Sequence, residues 1–261
     1  MLGLLDAGLP DGVVGFFTTR YGGISTDPWA ELNLALHVED QASNVMANRD
    51  VLAERLRSGS VSFPQQVHGT GVLTVDAAMA GRVPISRDGA PGIDALVTAV
   101  PETPIGVLAA DCLPVLLADA ERGVVAAAHA GRRGLAAGVL QATLAEMTAN
   151  GARATNCRAV IGPAICGRCY EVPAEMREEV ARQVPGSAAT TSAGTPSLDL
   201  PAGAEQVLRR AGVGEVVQTG ICTLTDERFY SYRRDGVTGR FAGVVMLSRR
   251  HDNAALGARH G

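Results

Sequence analysis

Residues 105–134, IGVLAADCLPVLLADAERGVVAAAHAGRRG, constrain the fold more than any other stretch of the chain. They hold two apolar runs of strand length bounded by Pro, Asp and Gly, and such runs read as buried strands. Asp119-Ala120-Glu121-Arg122-Gly123 serves as a turn, so the runs can pair antiparallel and bring their outer ends together. Each outer end carries a reactive side chain. Cys112 follows Asp111, and His129 ends the run Val124-Val125-Ala126-Ala127-Ala128, just before the glycine-flanked turn Ala130-Gly131-Arg132-Arg133-Gly134. A thiol and an imidazole are thus expected where buried strands open into loops.

The chain has 261 residues, enough to bury a substantial core, and it shows no internal repeat or linker. It is read as a single mixed α/β domain, residues 1–261, with a frayed tail from about residue 250. A net charge of -4 offers no concentrated basic face for nucleic acid or an anionic membrane. All 23 basic residues are arginine. Without lysine the chain cannot form a Schiff base, hold pyridoxal phosphate in the usual way or complete a Walker A loop. The start, Met1-Leu2-Gly3-Leu4-Leu5-Asp6, has an acid where a secretory signal carries positive charge, and no run approaches the ~18 apolar residues of a membrane span. The expected compartment is the cytoplasm. Five cysteines, an odd number in a chain too large to need staples, are expected to be free.

In order along the chain, residues 13–18 read as a strand running into the loop Thr19-Arg20-Tyr21-Gly22-Gly23. Residues 27–40 are irregular, and a helix follows with Val45, Arg49, Leu52 and Leu56 at helical spacing. Residues 65–69 and 72–75 are predicted strands, residues 81–92 a mobile surface loop, and residues 93–98 another strand. Beyond Gly134, Leu135, Val139, Leu140, Leu144 and Met147 share one face of a helix ended by Gly151. Residues 158–162 form a strand, 173–184 a helix, 187–197 a small polar loop, 199–212 a helix capped by Asp199, and 241–247 the last strand.

His68, Cys112 and His129 form the leading constellation. They lie 44 and 17 residues apart, which matches no zinc finger, so any site they make is assembled by the fold. Buried cysteines and histidines are commonly plain core residues. Their shared placement at strand ends beside loops favours a site, and one thiolate with two imidazoles is a known catalytic zinc set. The motif Cys166-Gly167-Arg168-Cys169 admits a redox pair, or with Cys157 and Cys222 a four-thiolate zinc site, but its context favours ordinary thiols. Arg133, between Gly131 and Gly134 at a helix start, stands where amides and dipole favour an anion such as phosphate.

At Gln65-Gln66-Val67-His68-Gly69, at residues 109–117 and at His129-Ala130-Gly131-Arg132-Arg133-Gly134, the chain closely resembles the laccase-domain family once labelled multicopper polyphenol oxidases. Its members are understood as zinc-dependent purine nucleoside phosphorylases that also deaminate adenosine. The resemblance extends to residues 17–23, 32–38, 161–165, 170–172 and 229–236. It implies a layered α/β/β/α sandwich similar to the catalytic domain of cytotoxic necrotizing factor, and one zinc per chain held by His68, Cys112 and His129. It implies that phosphate is a co-substrate, that adenosine, inosine, guanosine or methylthioadenosine is the nucleoside, and that Arg20, Asn33 and Arg133 bind substrate. A monomer or homodimer fits equally. Two departures stand out: Arg132 replaces the family's usual tryptophan, and Glu39 a common glycine.

Other readings compete with this one. One Cys and two His also suit blue copper. The chain, however, has five histidines, of which His251 and His260 lie in the tail, too few for a multicopper oxidase. Cys112 and His129 alone make a nucleophile–base pair for a metal-free cysteine hydrolase. A non-catalytic binding protein would keep all three residues as core.

Overall fold

The structure is a computed structural model that describes residues 2–81 and 92–248. The predicted mobile loop and the tail lie wholly or largely outside the described residues. In chain order the elements are β1 (Leu4–Asp6), β2 (Val13–Thr18), α1 (Ala42–Leu56), β3 (Val72–Thr74), β4 (Ala95–Thr98), β5 (Ile105–Ala109), β6 (Leu113–Asp119) and β7 (Val124–Ala130). There follow α2 (Arg132–Ala137), α3 (Val139–Ala149), β8 (Arg158–Ile161), α4 (Ala174–Gln183), β9 (Ala188–Thr190), β10 (Pro196–Leu198), α5 (Leu200–Arg210), β11 (Glu215–Gln218), α6 (Tyr232–Asp235) and β12 (Phe241–Leu247).

The predicted hairpin is the centre of the larger sheet. β6 and β7 pair antiparallel from Asp119↔Val124 to Leu113↔Ala130, inside a six-stranded sheet of order β11-β8-β6-β7-β4-β3. Every residue of both strands is buried, as continuous apolar runs require. Asp119 is buried too, because its carboxylate accepts from the backbone N–H groups of Arg122 and Arg153 and so ties the turn to the chain beyond α3. Alternation then sorts the side chains. Leu113, Val115 and Leu117 pack with the buried faces of α3 and α5, while Leu116, Ala118, Val125 and Ala127 pack toward Phe17, Val107 and Val245 of the second sheet. That sheet, β1-β2-β12-β5, carries α1 on its far side through Phe16, Leu52, Leu108 and Val244. The architecture is the expected α/β/β/α sandwich.

Three local readings are corrected, and two strands are added. Residues 65–69 form no strand, because their amides go to a side chain described below. The long helix after Gly134 is two helices, broken where Gly138 takes a left-handed φ of 99° that a side chain would strain; α3 keeps the predicted face of Val139, Leu140, Leu144 and Met147. The polar stretch 187–197 contains the β9–β10 hairpin, whose turn is closed by the Thr191 and Thr195 hydroxyls at 2.7 Å. The three-residue strand β1 and the parallel edge strand β11 were not predicted.

Phe17 is fully buried where the two sheets meet, and a Cβ on Gly162 would strike its ring. Phe17→Ala is therefore predicted to remove about 3–5 kcal/mol of stability, read as a lower urea midpoint at unchanged slope. A loss below about 1 kcal/mol would mean that the sheets do not depend on this contact.

Candidate metal centre

The site lies where the space between the two sheets opens at the ends of β5, β6 and β7. In the sheet Pro114 pairs with His129, so Cys112, two residues before Pro114, falls on the same face by the two-residue period. Asp111 just before it has φ 91°, and His68 has φ 62°. Both are conformations that a non-glycine residue rarely adopts and that commonly collect at functional sites.

His68 reaches the strand ends from a segment with no ladder of its own. The buried carboxylate of Asp94 accepts from the backbone N–H groups of Val67, His68 and Gly69 at 3.2, 2.9 and 2.7 Å. The Gln66 side chain meanwhile imitates a strand neighbour, donating to Leu108 O at 2.7 Å and accepting from Leu108 N at 2.8 Å. Asp94 also accepts from His129 Nδ1 at 2.9 Å. With Nδ1 protonated and held, Nε2 is left as the donor atom facing the site.

The three candidate ligand atoms lie within 4.8 Å of one another. Cys112 Sγ is 3.7 Å from His68 Nε2, and the two imidazoles meet edge to face at 4.8 Å between centroids. Gly131 makes this approach feasible, since a Cβ there would lie 2.7 Å from His68 Cδ2 and 3.0 Å from Cys112 Sγ. His68, Cys112 and His129 thus form a group that could bind a metal ion.

Electrostatics couple the same atoms. Burial would push the Cys112 thiol up, but His129 and then His68 outweigh it and bring it down to about 6. Burial would pull His129 down, but Asp94 and Cys112 outweigh it and raise it to about 9. Between these values the metal-free pair is thiolate and imidazolium. Burial likewise opposes ionisation of Asp94, yet the His129 hydrogen bond and the amides of Gly69 and Val67 hold its carboxyl below the usual range.

A cavity of about 510 Å³ opens on this group, with Arg132, Arg233, Arg240, His37, Tyr170 and Tyr232 among its walls. Arg20, Asn33 and Arg133 are not among them. Arg20 donates to Ala30 O and lies over the Tyr230 ring, 4.9 Å from its centroid. Asn33 is buried and accepts from Arg240 N at 3.0 Å, so it touches the cavity only through a neighbour. Arg133 is exposed, one helical step beyond Arg132. Asp111 does line the cavity, its carboxylate engaged by the Thr223 hydroxyl and Arg233 N at 2.7 Å each.

The fold and this centre define a layered α/β protein with a mixed thiol–imidazole group at the open end of its sandwich. Residues 14–248 match the family described as multi-copper polyphenol oxidoreductase laccase, and the chain belongs to that family. It is 48% identical over 233 residues to a purine nucleoside phosphorylase of Streptomyces coelicolor, covering 88% of this chain and 94% of the relative. It is 41% identical to a purine nucleoside phosphorylase of Corynebacterium glutamicum, covering 89% and 94%. The crystal structure of a Neisseria meningitidis protein superposes with a TM-score of 0.82 at 36% identity, covering 95% of this chain and 99% of that one. YlmD from Geobacillus stearothermophilus gives 0.83 at 31%, covering 95% and 97%.

The coupling sets a pH test on metal-free protein. Alkylation of Cys112 by iodoacetamide, followed on its own peptide by mass spectrometry, is predicted to rise through a midpoint near pH 6, because the thiolate persists down to about 6. Asp94→Asn withdraws the charge that keeps His129 protonated and moves the midpoint upward. A wild-type midpoint near the ordinary thiol value of about 8.5 contradicts the coupling.

Proposed function

We propose that this chain is a zinc-dependent purine nucleoside phosphorylase that also deaminates adenosine. The observation that carries the reading is a single cavity with the His68, Cys112 and His129 group and three arginines on its walls. Its volume falls in the range of small-molecule sites and suits a nucleoside with phosphate. The names of the two bacterial relatives point to the same substrates.

His68, Cys112 and His129 would hold the zinc. The donor set fits, since one thiolate and two imidazoles leave a fourth position open, and Gly131 leaves room for them to converge. When bound, zinc supplies Lewis acidity at that open position, which deamination at C6 of adenosine requires. In phosphorolysis the C1′–N9 bond breaks, its electron pair leaves with the purine, which takes up a proton, and a phosphate oxygen forms the new bond to C1′. Arg132, Arg233 and Arg240 supply the positive charge for that phosphate through charge-assisted hydrogen bonds. Burial and then the charges of Arg240 and Arg49 hold His37 below the usual imidazole range, so it faces the reactants neutral and able to accept a proton.

The family's description favours a second reading, copper oxidation of phenols. Among the described residues the histidines are His37, His68 and His129, too few to ligate a multicopper cluster. A metal-free cysteine hydrolase would use the Cys112–His129 pair, and it would survive chelation where the zinc enzyme would not.

Incubation of adenosine, inosine, guanosine and methylthioadenosine with and without phosphate, followed by chromatography, tests the proposal. Inosine is expected to give hypoxanthine and ribose-1-phosphate only with phosphate present, and adenosine to give inosine without it. Free ribose released equally in both conditions would make the enzyme a hydrolase and sink the reading. Arg132→Ala should raise the phosphate KM by roughly ten- to a hundredfold, the loss of a charge-assisted contact of about 1.5–3 kcal/mol. Arg133→Ala should stay within about twofold of wild type, as for an exposed residue. The reverse ranking would return the phosphate to Arg133.

A further inference from the structure

We propose that Cys166, Cys169 and Cys222 form a second metal site, taking a thiophilic divalent cation of the zinc type, which clips together two loops behind the cavity wall. The three sulfurs lie within 4.8 Å of one another, and all three thiols are free and half-buried. Three thiolates around zinc at about 2.3 Å stand about 3.8 Å apart, so an ion needs only a modest contraction. A disulfide would need about 2.05 Å, and would leave the third sulfur without a partner. Cys157, the fourth thiol of the sequence-level alternative, is elsewhere. It is buried at the foot of β8, where burial and Asp119 push it up to about 12.

The backbone builds this cluster from two distant segments. Cys166 and Cys169 share a turn in which Cys169 N and Tyr170 N both donate to Cys166 O, at 2.9 and 3.0 Å. Gly167 lets that turn seat against the N-cap of α5, since a Cβ there would lie 2.6 Å from Asp199 Cβ. Cys222 arrives through an isolated parallel bridge to Ala164, with Ala164 N donating to Ile221 O and Thr223 N to Ala164 O, each at 3.1 Å. Its sulfur accepts from Cys166 N at 3.4 Å, which ties the two segments at the sulfur itself. Three thiolates exceed the charge of a divalent ion by one. Arg234 braces the Cys222 loop, donating to the carbonyls of Thr223 and Leu224 at 2.8 and 3.3 Å while its charge is paired with Asp235 at 2.8 Å. A surface groove lined by Cys222, Thr225, Asp226 and Arg228 provides a route for the ion and space for a water as fourth ligand.

Soft sulfur donors in this number select zinc-like cations over magnesium or calcium. The clip would act on the cavity, because both joined loops grip Asp111: Ile165 N donates to its carbonyl at 3.0 Å and the Thr223 hydroxyl to its carboxylate at 2.7 Å. Ile165 and Tyr170 themselves line the cavity.

Zinc content of the purified full chain tests this without any assay of activity. Wild type should carry two equivalents, and Cys166→Ser/Cys222→Ser and His68→Ala/His129→Ala one each. Should the serine variant fail to fold, Cys112→Ala leaves the trithiolate intact. Titrated with cobalt(II) alone after zinc removal, it should still develop strong thiolate-to-cobalt charge-transfer absorption at one equivalent. Equal zinc content in wild type and the serine variant overturns the proposal. So does a Cys112→Ala protein without that absorption, or a disulfide between any two of the three cysteines in the freshly purified chain.

Discussion

The buried carboxylate of Asp94 is the constraint on which the rest of the centre depends. A carboxylate taken wholly out of water is tolerated only when its oxygens are satisfied, and Asp94 collects three backbone amides and one imidazole N–H. The amides fix the path of residues 67–69 and with it the left-handed turn at His68. The imidazole bond orients His129 and assigns its tautomer. One acid at the start of β4 therefore places two of the three candidate ligands, although they lie on different segments. His129 N also donates to Asp94 O at 2.7 Å, so backbone and side chain of the two residues are joined together.

The third side chain comes from the geometry of a hairpin. β6 and β7 are buried on both faces, one against helices and one against the second sheet, and their open end is where the sandwich stops being packed by aliphatic groups. Cys112 and His129 inherit that face by strand parity, and Gly131 keeps the approach of His68 free of a side chain. The arginines of the cavity come from the chain beyond these strands, at the start of α2 and on either side of the α6–β12 connection. Donor atoms for a metal and positive charge for an anion thus reach one cavity from separate parts of the fold.

The hairpin, its helical and sheet neighbours and the three ligand candidates could be read from residues because each rests on period and placement. Apolar runs with reactive residues at their ends survive translation into three dimensions. Residues 65–69 could not be read, because a strand-like pattern was satisfied by Asp94 and Gln66 side chains in place of a neighbouring strand. Asp94 fell inside the predicted strand 93–98, which begins only at Ala95, and nothing local tells a buried acid from an exposed one. Arg132 and Arg133 differ by a single helical step, about 100° of rotation, which the motif does not resolve. The C-x-x-C cysteines read as ordinary thiols from their local context, and the sequence could not tell which of Cys157 and Cys222 lies near them; one isolated bridge brings Cys222 there, while Cys157 stays at the foot of β8.

On the proposed function, Asp94, Gly131 and the β6–β7 ends hold His68, Cys112 and His129 in place for zinc. Anomalous diffraction above and below the zinc absorption edge, on crystals of protein purified without added metal, measures this most directly. The expected result is a zinc peak at about 2.3 Å from Cys112 Sγ and about 2.0–2.1 Å from the two imidazoles. No peak among these three residues, or a copper signal in its place, would contradict it.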